Sequence, residues 1–222
     1  MSRNIASYID HTLLKQTTTL SDVDRLCVEA SMENFASVCI PPRYVSNAKK
    51  LLDGSPVKVC TVIGFPLGYN VTDVKLREID DALKMGADEL DIVHDLCALK
   101  NGDWKLMENE IKECIKPVHA AGKIIKVIIE SGILTDSELL RCCELYSNFD
   151  VDFVKTSTGF ADKGATIEAV TTLRANLPRK MGIKASGGIK TLKFAKELIA
   201  AGATRLGCSE SMSIVKELRN KK

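Results

Sequence analysis

Histidine and aromatic residues are scarce in this chain. Only three histidines occur in 222 residues, His11, His94 and His119, and aromatic residues make up 5%. No two histidines form an H-x-H or H-x-x-x-H pair, so a histidine-built metal centre has no support in the sequence. Eight cysteines are present (Cys27, Cys39, Cys60, Cys97, Cys114, Cys142, Cys143 and Cys208), yet none has C-x-x-C spacing. Most lie inside apolar runs, which fits reduced, buried thiols in a cytoplasmic protein better than a disulfide framework or a zinc site. No apolar stretch approaches membrane-spanning length, and Met1-Ser2-Arg3-Asn4 does not open a signal-peptide core, so neither a membrane nor secretion is expected. Charge of one sign is also lacking: 31 Lys+Arg against 29 Asp+Glu leave +2. The terminal Arg219-Asn220-Lys221-Lys222 reads as a frayed helix end, and nucleic acid is not an expected partner.

What remains is an ordinary globular composition, 45% hydrophobic and 27% charged. The length suits one domain with a sizeable core, or a small eight-unit α/β barrel. Short apolar runs alternate with amphipathic segments. Strands are expected near 8–10, 36–40, 57–63, 89–93, 124–129, 151–154, 182–185 and 205–207. Helices are expected near 21–32, 43–52, 72–84, 103–120, 135–146, 166–175, 192–200 and 211–219. The spacing of roughly 25–30 residues per unit is what parallel βα repeats need. No linker divides the chain, so residues 1–222 read as a single (β/α)8 TIM barrel of the α/β class. A doubly wound open sheet is the alternative, weakened because no G-x-G-x-x-G follows the first strand.

Barrel strands end at one mouth, where active sites collect. The ends here carry Asp10, Cys39, Asp91, Glu130, Lys155, Lys184 and Ser209. Each alone has a bland reading: an Asp as a helix cap, Cys39 as a small core residue, a lysine as half of a salt bridge. Two lysines, however, end apolar runs and precede small residues, in Val154-Lys155-Thr156-Ser157-Thr158-Gly159 and Ile183-Lys184-Ala185-Ser186-Gly187-Gly188. On neighbouring strands ~4.8 Å apart, their heads would lie ~5–6 Å from each other. At an effective dielectric of ~20 the repulsion is about 3 kcal/mol, roughly two pK units. Desolvation would add to it, leaving one amine free to attack a carbonyl and form an imine.

Strand alternation places Glu89 and Asp91 on one side, with Lys126 of the next strand in reach of either, so that a poised aspartate could move protons through water. Ser186-Gly187-Gly188 and Gly207-Cys208-Ser209 follow the last two strands, where barrels often hold phosphate.

These motifs closely resemble those of the deoxyribose-phosphate aldolase family of class I, Schiff-base aldolases. The likeness runs from Ile9-Asp10-His11-Thr12 through Ile63-Gly64-Phe65-Pro66-Leu67-Gly68, Glu89-Leu90-Asp91 and Lys126-Val127-Ile128-Ile129-Glu130 to Gly207-Cys208-Ser209, and includes both lysine motifs. It implies a TIM barrel that reversibly cleaves 2-deoxy-D-ribose 5-phosphate to D-glyceraldehyde 3-phosphate and acetaldehyde. It makes Lys155 the imine-forming residue, Lys184 its perturbing neighbour, and Asp91 the proton relay, with Asp10 nearby. Gly187, Gly188 and Ser209 would meet the phosphate, and Thr12, Cys39, Lys126 and Thr156 would complete the substrate pocket. No cofactor or metal is implied, and the chain would be a homodimer or larger assembly acting on a sugar phosphate and aldehydes. The pattern departs from the family at Glu210, where a small residue is usual and a carboxylate would repel a phosphate unless turned out to solvent, and at His94-Asp95-Leu96-Cys97, which would alter loop geometry near the mouth. It also ends at Lys222 without the terminal tyrosine that some members use in proton transfer, so either slower turnover or water in that role is expected. A phosphate-binding barrel isomerase or synthase using Asp10 and Asp91 as acid and base is the competing reading, as is a family member with weakened phosphate preference.

Overall fold

The structure is a computed structural model and describes residues 5–220. Eight strands close a parallel barrel in sequence order: β1 (Ile9–Thr12), β2 (Ser37–Ile40), β3 (Lys58–Ile63), β4 (Glu89–Val93), β5 (Ile124–Ile128), β6 (Phe153–Lys155), β7 (Gly182–Ser186) and β8 (Arg205–Cys208). Each returns through helix: α1 (Leu20–Glu33), α2 (Val45–Leu51), α3 (Thr72–Lys84), α4 (Leu96–Lys100) with α5 (Trp104–Ala120), α6 (Asp136–Ser147), α7 (Ile167–Asn176), α8 (Leu192–Ala200) and α9 (Ser211–Arg219). The TIM barrel expected from the alternation is therefore the fold. None of the described helices is long and apolar enough to cross a membrane.

Local chemistry sets the helix starts. Thr19 and Thr135 each accept from the backbone three residues on, while Asp22 and Glu138 reach back, giving full capping boxes on α1 and α6. Thr166 and Thr191 cap α7 and α8.

The strands sort their residues by face. Ile9, Val38, Ile40, Val59, Ile63, Leu90, Ile92, Ile125, Val127, Val154, Ile183 and Leu206 belong to one continuous apolar core of buried residues. Register places the alternate positions side by side: Cys39 with Cys60, Cys60 with Glu89, Asp91 with Lys126, Lys155 with Lys184, and Lys184 with Arg205. The barrel interior is thus ionic where such barrels are usually filled by branched aliphatics.

Three local differences from the sequence reading have physical causes. Tyr8 belongs to a 3-10 turn (Ile5–Tyr8), and β1 starts one residue later. β6 begins at Phe153 because Asp152 accepts from Ile125 N–H through its carboxylate (2.9 Å), taking the place of a ladder bond. The departure at His94-Asp95-Leu96-Cys97 forms the start of α4, with Asp95 capping Ala98 N–H at 2.9 Å.

His94 itself is buried, and its Nδ1 meets the Tyr146 hydroxyl at 2.9 Å. Burial first, then the charge of Lys75, push its pKa down to about 3. A histidine held neutral in the fold but free to protonate when unfolded contributes stability above about pH 6.5 and loses it as pH falls toward the folded value. Between pH 6.5 and 5 this group should remove about 2 kcal/mol of unfolding free energy. Denaturant melts across that window should show a shallower pH slope for His94→Gln than for the wild type.

Candidate active site

The site begins with one carboxylate. Asp91, fully buried at the middle of β4, receives three amines. Lys126 Nζ donates to Oδ1 at 2.8 Å, Lys155 Nζ to Oδ2 at 2.8 Å and Lys184 Nζ to the same Oδ2 at 2.7 Å. The thiol of Cys60 donates to Oδ1 at 3.1 Å, and Cys39 Sγ stands 4.0 Å from Oδ2. Burial alone would raise the pKa of Asp91, but the three lysines outweigh it and hold the carboxyl well below the usual range.

A second tier lies beneath. Lys184 reaches Asp10 at 2.5 Å, and Lys126 reaches Glu89 at 2.7 Å. Arg205 spans both acids, at 2.6 Å from Asp10 and 3.1 Å from Glu89. Burial opposes the charge on both lysines. For Lys184, Asp10 and Asp91 overcome it and raise the pKa. For Lys126, Asp91, Cys60 and Glu89 raise it well above the usual lysine value. Asp10 is lowered despite burial, by Arg205 first and then by Lys184. Gly207 makes this packing possible, since a Cβ there would lie 2.8 Å from Ser186 Cβ and 3.2 Å from Lys184 Cε.

Above the cluster opens a cavity of about 260 Å³ lined by residues at and just beyond the ends of β1, β6, β7 and β8, among them Thr12, Lys155, Gly187, Gly188 and Ser209. Lys155 is the cluster amine that reaches it; the Lys126 and Lys184 side chains are wholly enclosed. Glu130 shapes one wall by accepting from Thr158 N–H at 3.2 Å and from the Thr158 hydroxyl. Gly187 and Gly188 both take positive φ, +87° and +77°, a conformation that favours glycine. On the other side, Leu14 and Phe65 pack on Cys39, Cys60 and Val62 as an apolar plug. His11 stands outside the barrel. It holds Ser211, the first residue of α9, at 3.0 Å and Glu29 of α1 at 2.7 Å, fastening the turn that carries Ser209.

The fold therefore brings Asp10, Asp91, Lys126, Lys155 and Lys184 into one cluster and sets Thr12, Gly187, Gly188 and Ser209 on the cavity wall. Three residues expected to contact substrate lie elsewhere. Lys126 and Cys39 belong to the enclosed layer around Asp91, and Thr156 is buried, accepting from Ser186 N–H at 3.1 Å. Glu210 is exposed and lines an adjoining cavity with Arg25 and Glu29; that cavity shares Thr12, Leu13, Lys15 and Ser209 with the first. The sequence reading missed Cys60 and Arg205 as members of the cluster. Both occupy inward positions two residues from one already suspected or in register with it, which is the signal that identifies them.

The repulsion expected between the two lysines is also modified, because Asp91 Oδ2 stands between their heads and attracts both. Cys39, Cys60 and Asp91 lie close enough to share a metal ion, as do Asp10, Cys60 and Glu89. A dication there would compete with the ammonium groups that already occupy those oxygens.

A family model described as "DeoC/LacD family aldolase" matches residues 4–209. A protein of Bacillus cereus strain AH820, named deoxyribose-phosphate aldolase, is 49% identical over 213 residues, spanning 96% of this chain and 95% of its own. One of the same name from Thermoanaerobacter sp. strain X514 is 47% identical over 215 residues, 96% of each chain. The solved tetrameric deoxyribose phosphate aldolase of Aeropyrum pernix superposes with a TM-score of 0.91 at 34% identity, over 98% of this chain and 92% of that one.

Replacing Asp91 with Asn keeps the shape and removes the charge that all three amines share. Turnover of a deoxysugar phosphate should fall at least ~100-fold, in the range of a lost acid–base group. Steady-state kinetics on folded protein, with a melting curve to verify folding, is the check.

Proposed function

The chain belongs to the DeoC/LacD aldolase family, and on that premise we propose that it cleaves 2-deoxy-D-ribose 5-phosphate to D-glyceraldehyde 3-phosphate and acetaldehyde, reversibly, through an imine on Lys155. The observation that carries the imine is the position of Lys155: its amine is the one of three around Asp91 that also borders the cavity.

The steps follow from that placement. The uncharged Lys155 amine adds to C1 of the open-chain aldehyde, and the carbinolamine loses water to give an iminium. The C3 hydroxyl gives its proton to a base through water, the C2–C3 bond breaks, and its electron pair flows to the iminium nitrogen as an enamine. Glyceraldehyde 3-phosphate leaves. The enamine takes a proton at C2, and water releases acetaldehyde and restores the amine. Asp91, ionised and linked to Lys184 and thence to Asp10, is the relay for these transfers. The enclosed ion pairs require no solvent reorganisation as charge develops.

The glycine pair Gly187 and Gly188, with Ser209, would receive the phosphate through backbone N–H groups and a hydroxyl near the start of α8. Glu210 is exposed and lines the adjoining cavity, and on this reading its carboxylate turns to solvent instead of toward that phosphate. The assembly is proposed to be a homo-oligomer, dimer or larger, as for the Aeropyrum pernix tetramer.

Borohydride added with acetaldehyde should place one ethyl group on Lys155, read by peptide mass spectrometry. Label on another lysine, or none under conditions that support turnover, refutes the imine assignment. Glu210→Ser should change the preference for 2-deoxyribose 5-phosphate over 2-deoxyribose by less than about threefold. A larger gain in kcat/KM for the phosphate ester would show that Glu210 does repel it.

A further inference from the structure

Arg205 opens β8 at the end of the barrel away from the cavity, its side chain 13% exposed, and none of the steps above uses it. We propose that Arg205 is a positioning residue for the reaction, whose fixed charge gives the buried cluster one cation too many and thereby leaves Lys155 with an uncharged amine. This rests on the imine reading of Lys155.

The argument is a count constrained by contacts. Fully ionised, the cluster holds four cations, Lys126, Lys155, Lys184 and Arg205, against three carboxylates, Asp10, Glu89 and Asp91. The three lysines and three acids are enclosed and Arg205 is mostly so; an unbalanced charge in such a cluster is costly, and losing one proton removes it. Arg205 cannot be the donor, since a guanidinium keeps its proton in proteins. Its position is fixed from three sides, by Asp10 at 2.6 Å, by Glu89 at 3.1 Å and by the Phe153 ring, 5.4 Å from its Cζ. Lys184 touches both Asp10 and Asp91, and Lys126 touches both Glu89 and Asp91. Lys155 touches Asp91 alone and shares that oxygen with Lys184. The proton is therefore lost where it is least well held. The other titratable groups facing Lys155 and Asp91 are the thiols Cys39 and Cys60. Cys60 is kept a thiol, chiefly by burial. Cys39 is the competing source of a proton.

Without Arg205 the count becomes three against three, and nothing favours an uncharged lysine. The effect crosses about two strand spacings, ~10 Å from β8 to β6. A unit charge at that distance and an effective dielectric of ~20 moves a titration by about one pH unit.

The test is the rate of borohydride trapping of acetaldehyde at Lys155 from pH 5 to 10. It is run on the wild type, Arg205→Met, Arg205→Lys, Glu89→Gln and the Arg205→Met/Glu89→Gln double variant, with melting curves in parallel. Arg205→Met should move the midpoint up by about one unit, a roughly tenfold loss near neutrality that vanishes at high pH. Arg205→Lys should stay near the wild type. Glu89→Gln should move the midpoint down, and the double variant, which restores the one-cation excess, should return it to within about half a unit. An unmoved midpoint in folded Arg205→Met, or a double variant no better than the single one, overturns the proposal. So does disappearance of the Arg205→Met shift when Cys39→Ser is added, since the thiol and not the amine would then be answering the charge. Should Arg205→Met not fold, Glu89→Gln decides alone: a downward move supports the proposal and no move overturns it. Absence of trapping at Lys155 in the wild type refutes the imine itself and is distinguishable from all of these.

Discussion

The carboxylate of Asp91 organises the whole interior. Two oxygens accept from three lysine amines and a thiol, in a space with no route to bulk water from Lys126 or Lys184. A lone buried ion would be driven to neutrality by desolvation. Sharing its oxygens among three lysine amines, it stays ionised, and the amines are held in place by the same contacts. Such an arrangement is a poor source of stability, because enclosed ion pairs rarely outperform apolar packing of equal volume. Its persistence inside a barrel otherwise surrounded by aliphatic core points to chemistry as the reason for it.

Strand register turns sequence into that geometry. Lys155 and Lys184 are Cα partners across β6 and β7, Asp91 and Lys126 across β4 and β5, Lys184 and Arg205 across β7 and β8. The outward alternate positions bury aliphatic side chains against the helices, so the register cannot slip by one residue without exposing the core. The same constraint that stabilises the barrel therefore sets the amine-to-carboxylate distances. Depth divides the labour further. Lys126 and Lys184 are enclosed, Lys155 lies at the boundary, and the cavity above is lined by small residues together with Leu14 and Phe160. That partition suits a reaction in which a small aldehyde carbon is activated at the bottom and a phosphate is held at the rim.

Much of this was legible in the sequence because the signals were local. Alternating apolar runs and amphipathic segments predict eight βα units, and the β4 segment and helices 72–84, 192–200 and 211–219 coincide with the observed elements. The two lysine motifs and Asp91 stood out as charged residues within apolar strands. Other features depend on partners remote in sequence. Arg205 reads as an ordinary charged residue at a strand start until closure of the barrel brings β8 beside β1 and sets it against Asp10. Cys60 looks like a small core residue until Lys126 and Asp91 arrive from the next two strands. Thr156 follows Lys155 and is expected at the cavity with it, but it lies one residue beyond β6, buried, with its hydroxyl accepting from the β7 backbone. Glu210 and the segment at His94 depart from the family pattern beside the mouth; the structure sets the first on an adjoining cavity that shares Ser209 with the main one, and the second at the start of a short helix capped by Asp95.

The central claim is that the enclosed cluster has more amines than it can keep charged. Carbon-13 resonances of lysine ε-carbons report the charge on each amine directly, and single Lys→Arg or Lys→Met replacements assign them. At pH 7, in the absence of substrate, the account predicts that one of the three lysines around Asp91 gives the shift of a neutral amine and the other two give ammonium shifts. Three ammonium signals at pH 7 would contradict it.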